Sequence, residues 1–114
     1  MSREAKIATL DDLIDVLRHY GDWAHGFDAE GAARNWLYAG FSPAEAEAWL
    51  EAGVFSAGAA WELRGAGLEP GDVAEPYNER GLRGNSLGYW VANRDISVAD
   101  AVRVVLGRTA GEEA

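Results

Sequence analysis

Apolar and polar positions follow one short pattern four times between Phe27 and Ala74, at intervals of 13 or 14 residues. Each copy opens on an apolar residue, Phe27, Phe41, Phe55 or Leu68, followed by Asp28, Ser42, Ser56 or Glu69. Asp and Ser are strong helix N-cap types, because the side-chain oxygen accepts a bond from a backbone N–H that the first turn leaves orphaned. Glu69 is the weak copy. Pro43 and Pro70 come next in two copies, where a missing N–H is harmless and the fixed φ suits a helix start. Glu45 stands where it completes a capping box with Ser42. An Ala- and acid-rich run then leads to Gly40, Gly53 or Gly67, at which the chain leaves the helix through a left-handed residue. The pattern therefore predicts single short helices over 29–39, 43–52, 57–64 and 70–75, the first three closed by a tight Gly turn. The spacing is too short for the helix pairs of ordinary solenoids. Helices of two to three turns are marginal alone, so the units must stabilise one another by packing their Trp and Leu faces, with Trp36, Trp49 and Trp61 read as core.

Outside the repeats the same logic applies. Leu10, Leu13, Ile14, Leu17 and Tyr20 recur at helical spacing behind Thr9 as a cap, which predicts a first helix over 9–20 ended by Gly21. The stretch 21–26 reads as a linker that Trp23 anchors to the core. Residues 77–85 mix turn formers with charge and read as a loop. Over 86–107, Asn85 or Ser86 caps a helix through Leu87, Tyr89, Trp90 and Val91. Ser97 with Asp100 then opens a last helix that Gly107 closes. The tail 108–114 is polar, small and expected to fray. The expectation is an all-α fold, a single domain over 1–114 built as a compact cluster of about six to seven short helices joined by tight Gly turns.

The run Trp36-Leu37-Tyr38-Ala39-Gly40-Phe41-Ser42-Pro43-Ala44-Glu45-Ala46, followed by Trp49 and Gly53, resembles the short Trp and Gly single-helix repeats of uncharacterised proteins from actinobacteria and their phages. The resemblance implies an all-helical fold and a GC-rich bacterial or phage source. It carries no activity to any residue here. A near absence of Lys beside abundant Ala, Gly, Arg, Asp and Glu is the usage expected of such a genome.

Composition adds two constraints. About half the residues are apolar and five are Trp, so the chain has the means to bury a core despite its net charge of −9. There is no Cys, which removes disulfides and thiolate metal sites from consideration. No apolar run approaches the roughly 20 residues of a membrane span and no basic-then-apolar leader opens the chain, so no membrane association and a cytoplasmic location are expected. The charge is uneven. Met1 to Glu79 carries fifteen acidic residues against five basic ones, whereas Arg80 to Arg108 carries five Arg against Asp95 and Asp100.

That asymmetry frames the candidate chemistry. His19 and His25, with Asp22 and Asp28, fit no ligand spacing, so no metal is expected. Adjacent carboxylates such as Asp11 and Asp12, or Glu45 and Glu47, read as a solvated helix face; acid–base catalysis needs a cleft and a shifted pKa. Ser42, Ser56 and Ser97 serve as caps and form no nucleophile elbow. The glycines from Gly65 to Gly71 lack the Lys and hydroxyl residue of a phosphate loop. No catalytic residue and no cofactor are expected.

Two functions remain. The first is a non-enzymatic acidic interaction module, a regulator or accessory factor of a bacterial or phage complex. It would meet the basic surface of an unknown protein partner through Glu45, Glu47, Glu51 and Glu62. The alternative is a nucleic-acid-binding regulator that contacts phosphates through Arg80, Arg83, Arg94, Arg103 and Arg108 around Tyr89 and Trp90.

Overall fold

The computed structural model describes the backbone of residues 3–26 and 28–113, with side chains for 9–26 and 28–108. Phe27, the apolar opener of the first repeat, lies outside the described residues. Among the described residues the fold is all-α, with eight helices and no strand. They are α1 (Arg3–Tyr20), α2 (Asp22–His25), α3 (Ala29–Tyr38), α4 (Pro43–Glu51), α5 (Ala57–Gly65), α6 (Pro70–Val73), α7 (Leu87–Ala92) and α8 (Val98–Glu113).

The repeat helices start and stop for the reasons their residues suggest. Asp28, Ser42 and Ser56 accept from the N–H groups of Gly31, Glu45 and Ala59. At Ser42 the box closes, because the Glu45 carboxylate accepts the Ser42 N–H at 3.0 Å. The weak copy is rescued differently: Asp72 reaches back to accept from the Glu69 N–H at 2.8 Å. At the other ends Gly40, Gly53 and Gly67 sit at φ of 87°, 89° and 90°. There the Phe41, Val54 and Leu68 N–H groups close onto the carbonyls of Trp36, Trp49 and Leu63. Each exit is thus a Schellman turn, in which a residue beyond the left-handed position bonds back across six residues. A fourth copy ends α7, with Asp95 bonded to the Trp90 carbonyl, but Arg94 rather than Gly holds the left-handed position at φ 66°.

Counting backwards from these turns sets which tryptophans are core. Trp36, Trp49, Leu63 and Trp90 each stand four residues before the left-handed residue, on the face that folds under the turn. Trp36 and Trp49 are 1% and 3% exposed, and Phe41 packs edge-on between them, 5.1 and 6.5 Å from their ring centres. Trp61 stands two residues earlier than this register, over half a turn around the helix, and is 57% exposed. The expectation that Trp61 packs in the core is therefore corrected; Leu63 takes its place. Phe55 is displaced by the same logic. The turn after α4 is one residue longer than those after α3 and α5, so Val54 is the buried opener and Phe55 is only half-buried.

Elsewhere the boundaries move. Helix α1 begins at Arg3, not Thr9, because Arg3 to Ala8 is rich in strong helix formers that let the helix run through the Thr. The linker contains a helical turn of its own, α2, and buries Ala24 while Trp23 remains 46% exposed, so Trp23 is not the core anchor expected of it. Helix α8 passes through Gly107 without a left-handed residue there and continues to Glu113, so the described backbone of the expected tail is helical. Ser86 and Ser97 cap α7 and α8 by accepting from Tyr89 and Asp100. The loop over 77–85 is folded back on itself. Pro76 pairs with Ser86 in an antiparallel bridge, and the Tyr77 N–H meets the Asn85 carbonyl at 3.0 Å. Its tip, Glu79-Arg80-Gly81-Leu82, closes with Arg80 and Gly81 both at positive φ, the mirror-image turn that suits a hairpin.

Helix α1 packs on α2, α3 and α4, while α5 and α6 join this group to α7 and α8. One buried cluster runs through both, from Leu13 and Leu17 through Trp36, Phe41, Trp49, Leu50, Val54 and Leu63 to Val73, Leu87, Val91 and Ala101. No polar or charged residue is buried among the described side chains. Close packing extends to the backbone. A Cβ on Gly88 would lie 2.6 Å from Val54 and 3.0 Å from the Ala52 carbonyl, so α7 can approach the α4–α5 turn only with Gly there. The body measures 50 × 28 × 18 Å.

Candidate functional site

The four acidic candidates do not form one patch. Glu47 and Glu51 stand one turn apart on α4, on the side facing Tyr20 of α1. The Tyr20 hydroxyl donates to Glu51 Oε1. Burial of the Tyr20 phenol first, then this bond and the charges of Glu51 and Glu47, push its pKa well above the ordinary value, which keeps the hydroxyl protonated and donating. Glu45 turns the other way and works as a cap. The Ser42 backbone bond first, then the Ser42 hydroxyl and the charge of Arg64, hold its pKa below the ordinary carboxylate value. Glu62 on α5 pairs with Arg94 at 3.2 Å.

The five arginine candidates are mostly engaged within the molecule. Arg80 and Arg103 share Asp100, at 3.3 and 2.7 Å. The Arg80 bond, with the charges of both guanidinium groups, lowers the Asp100 pKa. Arg108 lies 3.6 Å from Glu75 and donates to the Pro76 carbonyl. Arg94 holds Glu62, and Arg83 makes no ion pair with a described residue. Arg80 and Arg108 thus pin the hairpin and the segment after α6 to α8, Arg103 supports Asp100 from within α8, and Arg94 pins the α7–α8 turn to α5. Farther back, Arg34 pairs with Glu30, and Arg64 lies over the Phe41 ring at 4.1 Å while donating to the Ala39 carbonyl.

Sequence reasoning missed the concave aromatic surface. One cleft of about 640 Å³ lies between α3 and α5, walled by Tyr38, Trp61 and Phe55 above a floor of Ala32, Ala39, Ala57 and Gly58. Among the described residues its lining carries no charged side chain. A second, of about 510 Å³, opens where the end of α1, α2, the end of α4 and the start of α7 meet, and is lined by Tyr20, Trp23, Glu51 and Tyr89. Phe55 and Tyr89 touch at 5.5 Å between ring centres, so an aromatic ridge joins the two clefts. Beside Tyr20 a smaller hollow of about 310 Å³ is edged by Asp15, His19 and Glu47. The signal for these sites lay in register: aromatic residues off the buried face of a short helix must emerge somewhere.

His19 lies edge-on to Tyr20, and among the described residues no group of three or more His, Asp or Glu is placed to hold a metal. No described helix is long and apolar enough to cross a membrane. Compared with protein-family models, curated proteins and solved structures, the chain matches none.

Proposed function

We propose that the protein is a non-enzymatic acidic helical interaction module, a cytoplasmic regulator or accessory factor of a bacterial or phage complex, whose partner presents a basic surface. The observation that carries this is the sorting of charge. Most of the arginines are bonded to the protein's own carboxylates and carbonyls, whereas Asp11, Asp12, Asp15, Asp22 and Glu47 face outward with no described cationic partner. An outward negative field speeds encounter with a basic protein and opposes approach to phosphates. Nucleic-acid binding through Arg80, Arg83, Arg94, Arg103 and Arg108 would require most of those cations to leave partners that tie the C-terminal helices together.

Fluorescence anisotropy separates the two functions. Fluorescein-labelled hexa-arginine and a labelled short duplex DNA are titrated with the full chain at low and physiological salt. The peptide should bind, more weakly as salt rises, and the duplex should not. Salt-sensitive duplex binding that is lost when Arg80, Arg83 and Arg94 become Ala would overturn the proposal.

A further inference from the structure

We propose that the cleft lined by Tyr20, Trp23, Glu51 and Tyr89 is an arginine-accepting site, in which a guanidinium group of the partner lies against the aromatic walls and bonds to the Glu51 carboxylate. The proposal rests on the interaction-module function above and names the residue by which the partner is anchored.

The walls have the right chemistry. Tyr20 and Trp23 meet nearly at right angles, 85° apart with centres at 5.7 Å, so the corner between α1 and α2 presents two differently oriented ring surfaces. A third ring, Tyr89, lines the same cleft and is held from behind by Phe55 and Trp90. Cations are attracted to the negative faces of such rings, and Arg is the usual occupant because its flat, weakly hydrated guanidinium stacks as well as donates. The carboxylate is also prepared. Among the described residues Glu51 is the only charged side chain in the lining, and the Tyr20 hydroxyl fixes its Oε1 while Oε2 makes no bond to a described residue. A fixed carboxylate with a free oxygen is what a guanidinium donor needs. The surroundings favour a cation as well, because Asp15 and Glu47 edge the hollow on the other side of Tyr20.

Exposure of Trp23 is explained by the same arrangement. Gly21 and Gly26 flank α2 at φ of 88° and 61°, so the chain bends sharply on either side of this single helical turn. The turn buries Ala24 and leaves the indole at the cleft mouth. The α3–α5 cleft offers the same aromatic exposure without a charge, so it serves as an internal control.

The test measures affinity for fluorescein-labelled hexa-arginine and hexa-lysine against the wild-type chain and the variants Trp23→Ala, Glu51→Gln and Trp61→Ala, with circular dichroism to check folding. Each substituted side chain is exposed, so all three should fold. Hexa-arginine should bind the wild type at least threefold more tightly than hexa-lysine. Trp23→Ala and Glu51→Gln should each weaken it at least fivefold, while Trp61→Ala leaves it unchanged. The indole N–H resonance of Trp23, assigned by its loss in Trp23→Ala, should shift on titration. Hexa-arginine binding that both cleft variants retain at wild-type strength, or that hexa-lysine matches, would overturn the arginine site and leave the acidic-module function standing. No binding of either peptide would overturn both.

Discussion

Trp49 and Trp61 occupy neighbouring repeats and look alike in the sequence, yet their substitution should give opposite results. Trp49→Ala removes a buried ring that packs on Phe41 and should cost about 3–5 kcal/mol. Trp61→Ala removes an exposed one and should stay within about 0.5 kcal/mol. Denaturant melts of the two variants check both values. The residue pattern alone suggested that both were core, because Trp recurs in successive short helices. The face that is buried is set by the turn at the other end of the helix, and only counting back from Gly67 puts Leu63 inside and Trp61 outside. Glycines at these turns also differ. At Gly40 an added Cβ would make only an ordinary contact, 3.9 Å from the Arg64 guanidinium, so Gly40→Ala should cost about 1–2 kcal/mol for the left-handed backbone alone. At Gly53 the new Cβ would also lie 2.3 Å from the Ser86 hydroxyl, which caps α7 and donates to the Ala52 carbonyl. Gly53→Ala should therefore be the more damaging in the same melts. Arg94→Gly has the reverse sign: it relieves about 1 kcal/mol of left-handed strain and gives up an exposed ion pair worth less.

Helix starts were legible because a cap is a local device. Ser42, Ser56, Ser86 and Ser97 each accept from the third residue beyond, as their types and spacing suggested. Ends without such a device were not legible. Thr9 resembles a cap but lies inside α1, and Gly107 resembles a stop but lies inside α8, where Val104 and Val105 pack against the core on the turn before it. A helical Gly costs only about 1 kcal/mol, which packing of that kind can offset. The α4 capping box carries a testable pH dependence. Ser42→Ala should lower stability by about 1 kcal/mol in a denaturant melt. Because the folded Glu45 pKa lies below its unfolded value, its contribution is fully present above the unfolded value and is lost as pH falls through the folded one. Melts of wild type and Glu45→Gln should therefore differ at neutral pH and converge on acidification. A difference that grew toward acid would contradict the box as the cause of the shift.

At the scale of the whole molecule, net charge was plain in the sequence but its deployment was not. Five C-terminal arginines looked like one basic segment, yet four of them answer carboxylates that are 3 to 33 residues distant along the chain, and three of those pairs tie α8, the α7–α8 turn and the hairpin to other elements. The acidic candidates divide as well, with Glu45 and Glu62 in structural roles and only Glu47 and Glu51 on a shared surface beside Tyr20. Aromatic side chains that a core-only view had placed inside form the clefts next to that surface. The central claim is that the α1–α4 acidic surface, not the arginine segment, makes the contact with a partner. The most direct measurement compares hexa-arginine affinity at one salt concentration for three chains: wild type, Glu47→Lys with Glu51→Lys, and Arg80→Ala with Arg83→Ala. The charge reversal should abolish binding while the arginine variant equals or exceeds wild type. Binding that survives the reversal, or that disappears with the arginines, would contradict the claim.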